Sequence, residues 1–381
     1  MIEKLKEYIQ QIRGVSYKST DSVDKPQEGY VPLLRANNIN NGKINFENLI
    51  YVKKDKVKES QYLKKGDILI CTSSGSKELV GKAGLIIKDT NATFGAFCKV
   101  IRLKECCNNN YFNYYFQSNY YKSMIQKSSN GVNINNLKAE DFDNLSVNIL
   151  SYEIQENISN KLDKVQNIID LRQKQKEELD KLIESQFVEM FGEPLTSNNY
   201  GRITLDKIVK VNQGLQIPVS QRFNEDGENR YKYITIQFLN GGKKTEYIEN
   251  PNARVICTKD DILMTRTGNT GQVITNVEGV FHNNFFKVDY DKKRLNKEFL
   301  IKYFENDGIY KDMLRRATTS TIPDLSHSEF YKMSIDLPPI ELQNQFAEIV
   351  KQINNQKFIL EKSLKETEEL QESLMNIYFG E

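Results

Sequence analysis

The chain has 381 residues, of which 39% are hydrophobic and 27% charged, and its 53 Lys and Arg nearly balance 51 Asp and Glu. That length holds two domains or more, each able to bury its own core. No apolar run approaches the roughly 20 residues that span a bilayer, and Met1-Ile2-Glu3-Lys4 does not open a signal-peptide core, so no membrane role is expected and the cytoplasm is the expected compartment.

Residues 1–150 are rich in Tyr, Phe, Ile and Val, with turn signals such as Asn40-Asn41-Gly42. Short strands joined by tight turns are predicted there, with a helix over 111–125. The five cysteines (Cys71, Cys98, Cys106, Cys107, Cys257) are odd in number and lack C-x-x-C spacing, which argues against a zinc site and a disulfide framework. Cys71 and Cys98 lie in apolar strand-like runs and read as buried thiols. A net charge of +2 is low for a chain that binds DNA alone, because phosphate neutralisation supplies most of the affinity. Either basic charge is gathered locally, as Lys53-Lys54-Asp55-Lys56-Val57-Lys58 and Lys64-Lys65 hint, or a partner supplies part of it.

From Ser151, a plausible N-cap, a long helix is predicted. Its apolar stripe runs through Ile154, Ile158, Leu162, Val165, Ile169, Leu179, Ile183, Phe187 and Met190, and Gly192 and Pro194 end it. Residues 194–336 return to the strand-and-turn texture, with Asn240-Gly241-Gly242 as a turn and a helix over 297–314. Pro338-Pro339 then opens a second long helix, with a stripe through Leu342, Phe346, Val350, Ile353, Leu360, Leu364, Leu370, Leu374 and Ile377, capped at Gly380. A single stripe on so long a helix needs a partner, and the other copy is the simplest one. The residues expected to pack that coiled coil are Ile158, Leu162, Val165, Ile169, Leu179, Ile183, Phe346, Val350, Ile353, Leu360, Leu364 and Leu370. Arg172 and Lys176 interrupt the pattern where the second helix has Leu360 and Leu364. They either set register or face another partner, or else mark an exposed stretch.

The two helices are copies. Glu153-Ile154-Gln155 and Glu341-Leu342-Gln343, Glu184-Ser185 and Glu372-Ser373, and Phe191-Gly192-Glu193 and Phe379-Gly380-Glu381 all lie 188 residues apart without a gap. The segments before them repeat with gaps: Leu5 to Gly14 matches Leu205 to Gly214 at an offset of 200, and Gly66-Asp67-Ile68-Leu69 matches Asp260-Asp261-Ile262-Leu263 at 194. Frame positions agree while most of what lies between differs. One fold carrying two different recognition surfaces gives that pattern.

The order of variable domain, long helix, variable domain, long helix resembles the specificity subunit of type I restriction–modification systems. Ile335-Asp336-Leu337-Pro338-Pro339-Ile340-Glu341-Leu342-Gln343 is similar to the family's "I-x-L-P-P-x-x-x-Q" helix start, and Glu184 to Pro194 to its helix end. Gly66-Asp67-Ile68-Leu69-Ile70 and Asp261-Ile262-Leu263-Met264-Thr265-Arg266-Thr267-Gly268 resemble its "GDIL-x-x-R-x-G" strand. The chain departs from the pattern at Leu150-Ser151, which replaces Pro-Pro, and at Ser73-Ser74-Gly75, which carries no counterpart of Arg266.

The resemblance implies an α+β fold with two pseudo-twofold-related mixed α/β target-recognition domains, 1–150 and 194–336. Two long antiparallel helices, 151–193 and 337–381, would separate them as a coiled coil. It implies a subunit without catalysis of its own, reading an asymmetric bipartite site in double-stranded DNA. Two adenine methyltransferase subunits would dock on it, and through them restriction (translocase) subunits. S-adenosylmethionine would belong to the methyltransferase, and ATP and Mg to the restriction subunit.

Side chains that could hold bases or phosphates cluster in predicted loops. They are Arg35, Asn37, Asn38, Ser73, Ser74, Lys77, Ser128 and Asn130 in the first domain, and Gln237, Thr265, Arg266, Thr267, Asn269, Arg316 and Thr319 in the second. For each, the competing reading is a solvated turn residue. Asp67 and Asp261 precede apolar runs and read as turn or capping residues. His282 and His327 are far apart without metal-ligand spacing. No G-x-x-x-x-G-K-[ST] loop and no glycine-rich cofactor loop occurs, and Asp336-Leu337-Pro338-Pro339 is explained as a helix start. No catalytic or metal-ligating residue is therefore expected. The rival readings are an enzyme with its own nuclease or methyltransferase activity, and a coiled-coil adaptor without DNA affinity.

Overall fold

A computed structural model of the chain describes residues 2–128, 136–241, 244–317 and 322–380, with the side chains of Lys77 and Ser128 outside that description. The chain divides into two units, residues 1–173 with 362–381, and residues 174–361. Both divisions fall inside long helices, so each unit owns a part of each.

In the first unit a six-stranded sheet runs in the order Ile9–Arg13, Cys98–Leu103, Ile68–Cys71, Ala83–Leu85, Gly42–Ile44, Ile39–Asn40. Beside it lies a four-stranded sheet, Thr93–Phe94, Tyr30–Leu34, Ile50–Lys53, Ser22–Val23. The run Ile68-Leu69-Ile70-Cys71 is apolar throughout because both faces of its strand are covered. Ile68 and Ile70 meet Tyr111, Phe112, Tyr115, Phe142 and the helix residues Ile158, Leu162 and Phe379. Leu69 and Cys71, pointing the other way, meet Leu34, Leu63, Phe94 and Val100.

The second unit repeats the plan. One sheet runs Val209–Gln213, Phe285–Tyr290, Leu263–Thr265, Val273–Ile274, and the other Tyr247–Glu249, Arg230–Ile234, Gly279–Phe281, Ile256–Cys257. Met264 and Phe286 pack with Phe299, Phe304 and Phe330 and with the helix residues Ile183, Phe187, Phe346, Val350 and Ile353.

The helix expected over 111–125 is in fact two, Asn109–Tyr115 and Asn119–Ser128, and that over 297–314 is also two, Lys297–Glu305 and Asp307–Arg316. A side-chain cap starts the second member of each pair. Ser118 Oγ accepts from Tyr121 N at 3.2 Å, and Asn306 Oδ1 from Gly308 N at 2.9 Å and Ile309 N at 3.3 Å.

The long helices, Tyr152–Phe191 and Ile340–Phe379, have 40 residues each, about 60 Å at 1.5 Å per residue. Ser151 caps the first, its Oγ accepting from Ile154 N at 3.4 Å. Gly192 follows it at φ +79°, a conformation that favours glycine. Each start is fixed by a fully buried glutamine. Gln155 takes Asn108 N at 2.8 Å and gives its amide to Leu150 O at 2.8 Å and Cys106 O at 3.4 Å. Gln343 takes Asn296 N at 2.9 Å and gives to Pro338 O at 2.7 Å and Arg294 O at 2.9 Å. The invariant spacing of the repeat thus preserves a polar staple between helix and domain.

In both units the helices meet with opposed chain direction. Gln371 donates to Gln166 at 2.8 Å in the first unit, and Phe187 lies 5.4 Å from Phe346 in the second. The Arg172 and Lys176 interruption is spent on the other helix. Arg172 donates to Ser363 O at 2.6 Å and to Thr367 Oγ1, and Lys176 pairs with Glu361 at 2.5 Å.

Ile158, Leu162, Ile169, Ile183, Phe346, Val350 and Ile353 are buried, and Val165, Leu179, Leu360 and Leu364 half-buried. Leu370 is a correction, for it is 50% exposed. Steps of three and four from Leu364 lead to Thr367 and Gln371, which take the seat, whereas a step of six turns Leu370 outward. Ile154 and Ile377, which the predicted stripes also included, are exposed as well. All five cysteines are free and, except Cys106, buried. Among the described residues no cluster of three His, Cys, Asp or Glu could hold a metal, and no helix is long and apolar enough to cross a membrane.

Candidate nucleic-acid interface

In each unit, backbone hydrogen bonds draw four loops and the segment after the small helices to one end of the sheets. In the first unit Val15 N donates to Phe94 O at 2.8 Å, Gly95 N to Leu34 O at 3.0 Å, Thr72 N to Phe97 O at 2.9 Å and Leu137 N to Thr72 O at 2.7 Å. The loops holding Val15, Arg35, Thr72 and Phe97 therefore meet. In the second unit Leu215 N donates to Phe281 O at 3.0 Å, His282 N to Ile234 O at 3.0 Å, Arg266 N to Asn284 O at 2.7 Å and Leu325 N to Arg266 O at 2.9 Å. The two sets of bonds correspond one to one.

A glycine makes the closest crossing possible. A Cβ on Gly14 would stand 2.2 Å from Gly95 O, and one on Gly214 would stand 2.3 Å from His282 O.

This end gathers many of the sequence candidates. Asn37 is exposed, and Arg35, Ser73 and Ser74 are half-buried. Arg35 donates to Asn48 O at 3.3 Å while its buried Nε has no partner among the described residues, and Ser74 Oγ accepts from Ser76 N at 3.2 Å. Lys77 begins a short 3-10 helix, Lys77–Leu79, on the same connection, and Ser128 ends the helix Asn119–Ser128. In the second unit Gln237 and Asn269 are exposed and Thr267 half-buried. Asn130 and Thr319 lie outside the described residues.

Five candidates are committed to the framework. Asn38 is buried, accepting from Arg35 N at 2.9 Å and donating to Asn45 O at 3.0 Å and Glu47 O at 2.9 Å. Thr265 is buried, accepting from Gln272 N at 2.9 Å and donating to Asn269 O. Arg266 grips Asp324 with two bonds, 3.1 and 2.6 Å, and Thr267 donates to the same carboxylate. Arg316 pairs with Asp312 at 2.7 Å. Polar loop residues are chosen for caps and turns by the same donors and acceptors that suit a base edge, so residue type alone did not separate the two uses.

The Arg266 guanidinium, helped by the Thr267 hydroxyl, holds the Asp324 carboxyl below its ordinary value. Its stabilisation is complete above the unfolded value near pH 4 and is lost as pH falls through the lower folded value. Burial, with Arg266 nearby, lowers His327, and burial with Arg222 lowers His282, so both imidazoles are neutral at pH 7. Asp67 and Asp261 are turn caps, accepting from Lys64 N at 2.8 Å and Thr258 N at 2.7 Å.

Charge is segregated along the chain. Segments 1–150 and 194–336 carry 43 Lys and Arg against 33 Asp and Glu, while 151–193 and 337–381 carry 10 against 18. A near-neutral total thus conceals basic domains and acidic helices.

The family model for the type I restriction modification DNA specificity domain matches residues 4–181 and again 198–372. The chain belongs to this family. It is 28% identical over 375 residues to the type I restriction enzyme StySPI specificity subunit of Salmonella potsdam, covering 90% of this chain and 78% of that one. It is 40% identical over 152 residues to the EcoKI specificity subunit of Escherichia coli K12, covering 40% of this chain and 33% of that one. The fold is shared with a chain from a type I R-M system solved for its complex assembly and conformational transition (TM-score 0.63, 16% identity, 100% of this chain and 97% of that one). It is shared too with the type I S subunit from M. genitalium (TM-score 0.55, 16% identity, 100% and 96% covered).

Sequence reasoning about this specificity subunit missed the loops 95–97 and 282–284, and with them Phe97, Asn283 and Asn284, as well as Gln216. Asn283 donates to Gln216 at 3.2 Å at the converging end. The repeat held one signal for them: Gly14 and Gly214 are retained where a second loop crosses closely.

Proposed function

We propose that this specificity subunit reads an asymmetric bipartite DNA site through domains 1–150 and 194–336, and performs no catalysis itself. The observation that carries the reading is the doubled convergence of loops, built by the same backbone bonds in each unit and furnished with different side chains. Like scaffolds with unlike surfaces read two unlike half-sites, and a compact domain spans only a few base pairs in the major groove. Basic domains suit phosphate contacts, and acidic helices repel the backbone between them.

The helices 151–193 and 337–381 serve in this reading as a coiled-coil spacer. Half-sites one turn apart are separated by roughly 34–36 Å, within the reach of a 40-residue helix. They also dock two adenine methyltransferase subunits. Leu171 and Ile359, equivalent in the repeat, are 66% and 67% exposed, and Leu182 and Leu370 are another exposed equivalent pair. Duplicated apolar positions suit identical partners. S-adenosylmethionine belongs to those subunits, ATP and Mg to the restriction subunits that join through them, and the cytoplasm is the compartment.

Binding of the chain together with a methyltransferase subunit to DNA tests this. Sequence-selective affinity should fall steeply as salt rises. Salt-insensitive or unselective behaviour would indicate an adaptor, and methylation or cleavage by the purified chain alone would indicate an enzyme.

A further inference from the structure

The loop Gly95-Ala96-Phe97 joins the strands Thr93–Phe94 and Cys98–Leu103 of the first unit. Its backbone is pinned from three directions. Gly95 N donates to Leu34 O at 3.0 Å, and Ala96 N to Val15 O at 3.0 Å. Phe97 O accepts from Thr72 N at 2.9 Å, Ser73 N at 3.1 Å and Thr72 Oγ1 at 3.1 Å. Despite this, the Phe97 side chain is left in water, with the residue 71% exposed. A lone exposed apolar residue is ordinary on a protein surface. Phe97 differs in its address, between the loops of Arg35 and Ser73, and in the rigidity with which its backbone is held.

The second unit supplies the comparison. Cys71 pairs with Cys98 across the sheet and Thr265 with Phe285, so Phe97 corresponds to Asn284. The bond from Thr72 N to Phe97 O recurs as that from Arg266 N to Asn284 O, at 2.7 Å. One position therefore holds a phenyl ring in one unit and a carboxamide in the other. Both belong to the major-groove code, since an apolar group meets the thymine C5-methyl and a carboxamide meets the adenine edge.

Resting on the reading of the chain as a DNA specificity subunit, we propose that Phe97 determines one base of the recognised sequence by packing against a thymine methyl. The ring needs no hydrogen-bond partner, and a pinned backbone offers it without the cost of ordering the loop. Insertion between base steps is the other use of a ring that faces DNA, but it unstacks the bases and does not depend on the methyl group.

The test uses the full chain assembled with its methyltransferase subunits, on duplexes of the mapped recognition sequence. Each thymine in turn is replaced by deoxyuridine, which pairs identically and lacks only the methyl. One replacement should weaken binding by roughly fourfold, the loss of one buried methyl. The same replacement should cost nothing with Phe97→Ala, and Phe97→Leu should keep part of the preference. The proposal is overturned if no replacement matters to the natural complex, or if the penalty persists in Phe97→Ala. It is equally overturned if Phe97→Ala weakens all duplexes alike with a change in DNA bending, the mark of an inserted wedge. An unfolding midpoint matching the natural chain confirms that the variant is folded. Failure of the parent reading looks different, because the natural complex would then show no sequence selectivity at all.

Discussion

Phe346→Ala should destabilise the second unit by about 3–5 kcal/mol, the cost of removing a phenyl group from a closed core. Phe346 is fully buried, with its ring 5.4 Å from Phe187 and 5.5 Å from Phe191, both edge-on. Those two rings also meet Phe299, at 5.5 and 4.8 Å. Four aromatic rings from both long helices and the domain thus share one cluster, and a cavity there cannot close without moving all of them. Guanidinium unfolding, followed on the transition that belongs to this unit, measures the loss. Leu182→Ala, at a 43% exposed position of the same unit, is the matched control. That leucine is half exposed, so its change should stay within about 0.5 kcal/mol. A Phe346→Ala loss below about 1 kcal/mol would refute the cluster as the seat of the domain on its helices.

Arg102→Met should cost the first unit a similar amount, roughly 3–5 kcal/mol, for a different reason. Asp67 is 1% exposed and is held by Arg102 Nε and Nη2, each at 2.7 Å. Truncating the guanidinium leaves a buried carboxylate with, among the described residues, only Lys64 N at 2.8 Å. Arg102→Met with Asp67→Asn should recover part of the loss at pH 7, since the carboxamide oxygen still caps Lys64. The second unit shows the fold working without this pair. Asp261 there is half-buried on Thr258, and Asp289 stands where Arg102 would be. Equal stability of Arg102→Met and the natural chain would refute the pair as a support of the first unit.

Much of this architecture was legible in the sequence because it rests on local or periodic signals. The 3.6-residue stripe gave both long helices, and the ungapped repeat gave their equivalence, including the buried Gln155 and Gln343. What escaped depends on single caps or on distant pairings. The stripe continues across Ser118 and Asn306, and only the cap geometry at those residues reveals that each predicted helix is two. Leu370 was placed by its type, although Thr367 and Gln371 have the right angular position.

The candidate interface was half visible. Arg35, Asn37, Ser73 and Gln237 were found as polar loop residues, but Asn38 and Thr265 look the same and are spent inside. Phe97 was invisible because an exposed ring in a sequence cannot be told from a buried one. Its place follows from bonds to Thr72 and from the close crossing of Gly14 and Gly95, neither of them local.

The central claim is that this chain alone chooses the sequence its partners modify. Mapping methylated adenines in cells that hold the methyltransferase, with and without this chain, measures that choice directly. The account predicts one asymmetric bipartite motif, two short unlike elements at a fixed gap, present with the chain and lost without it. Methylation that persists at the same motif when the chain is removed, or a motif that is single or palindromic, would contradict it.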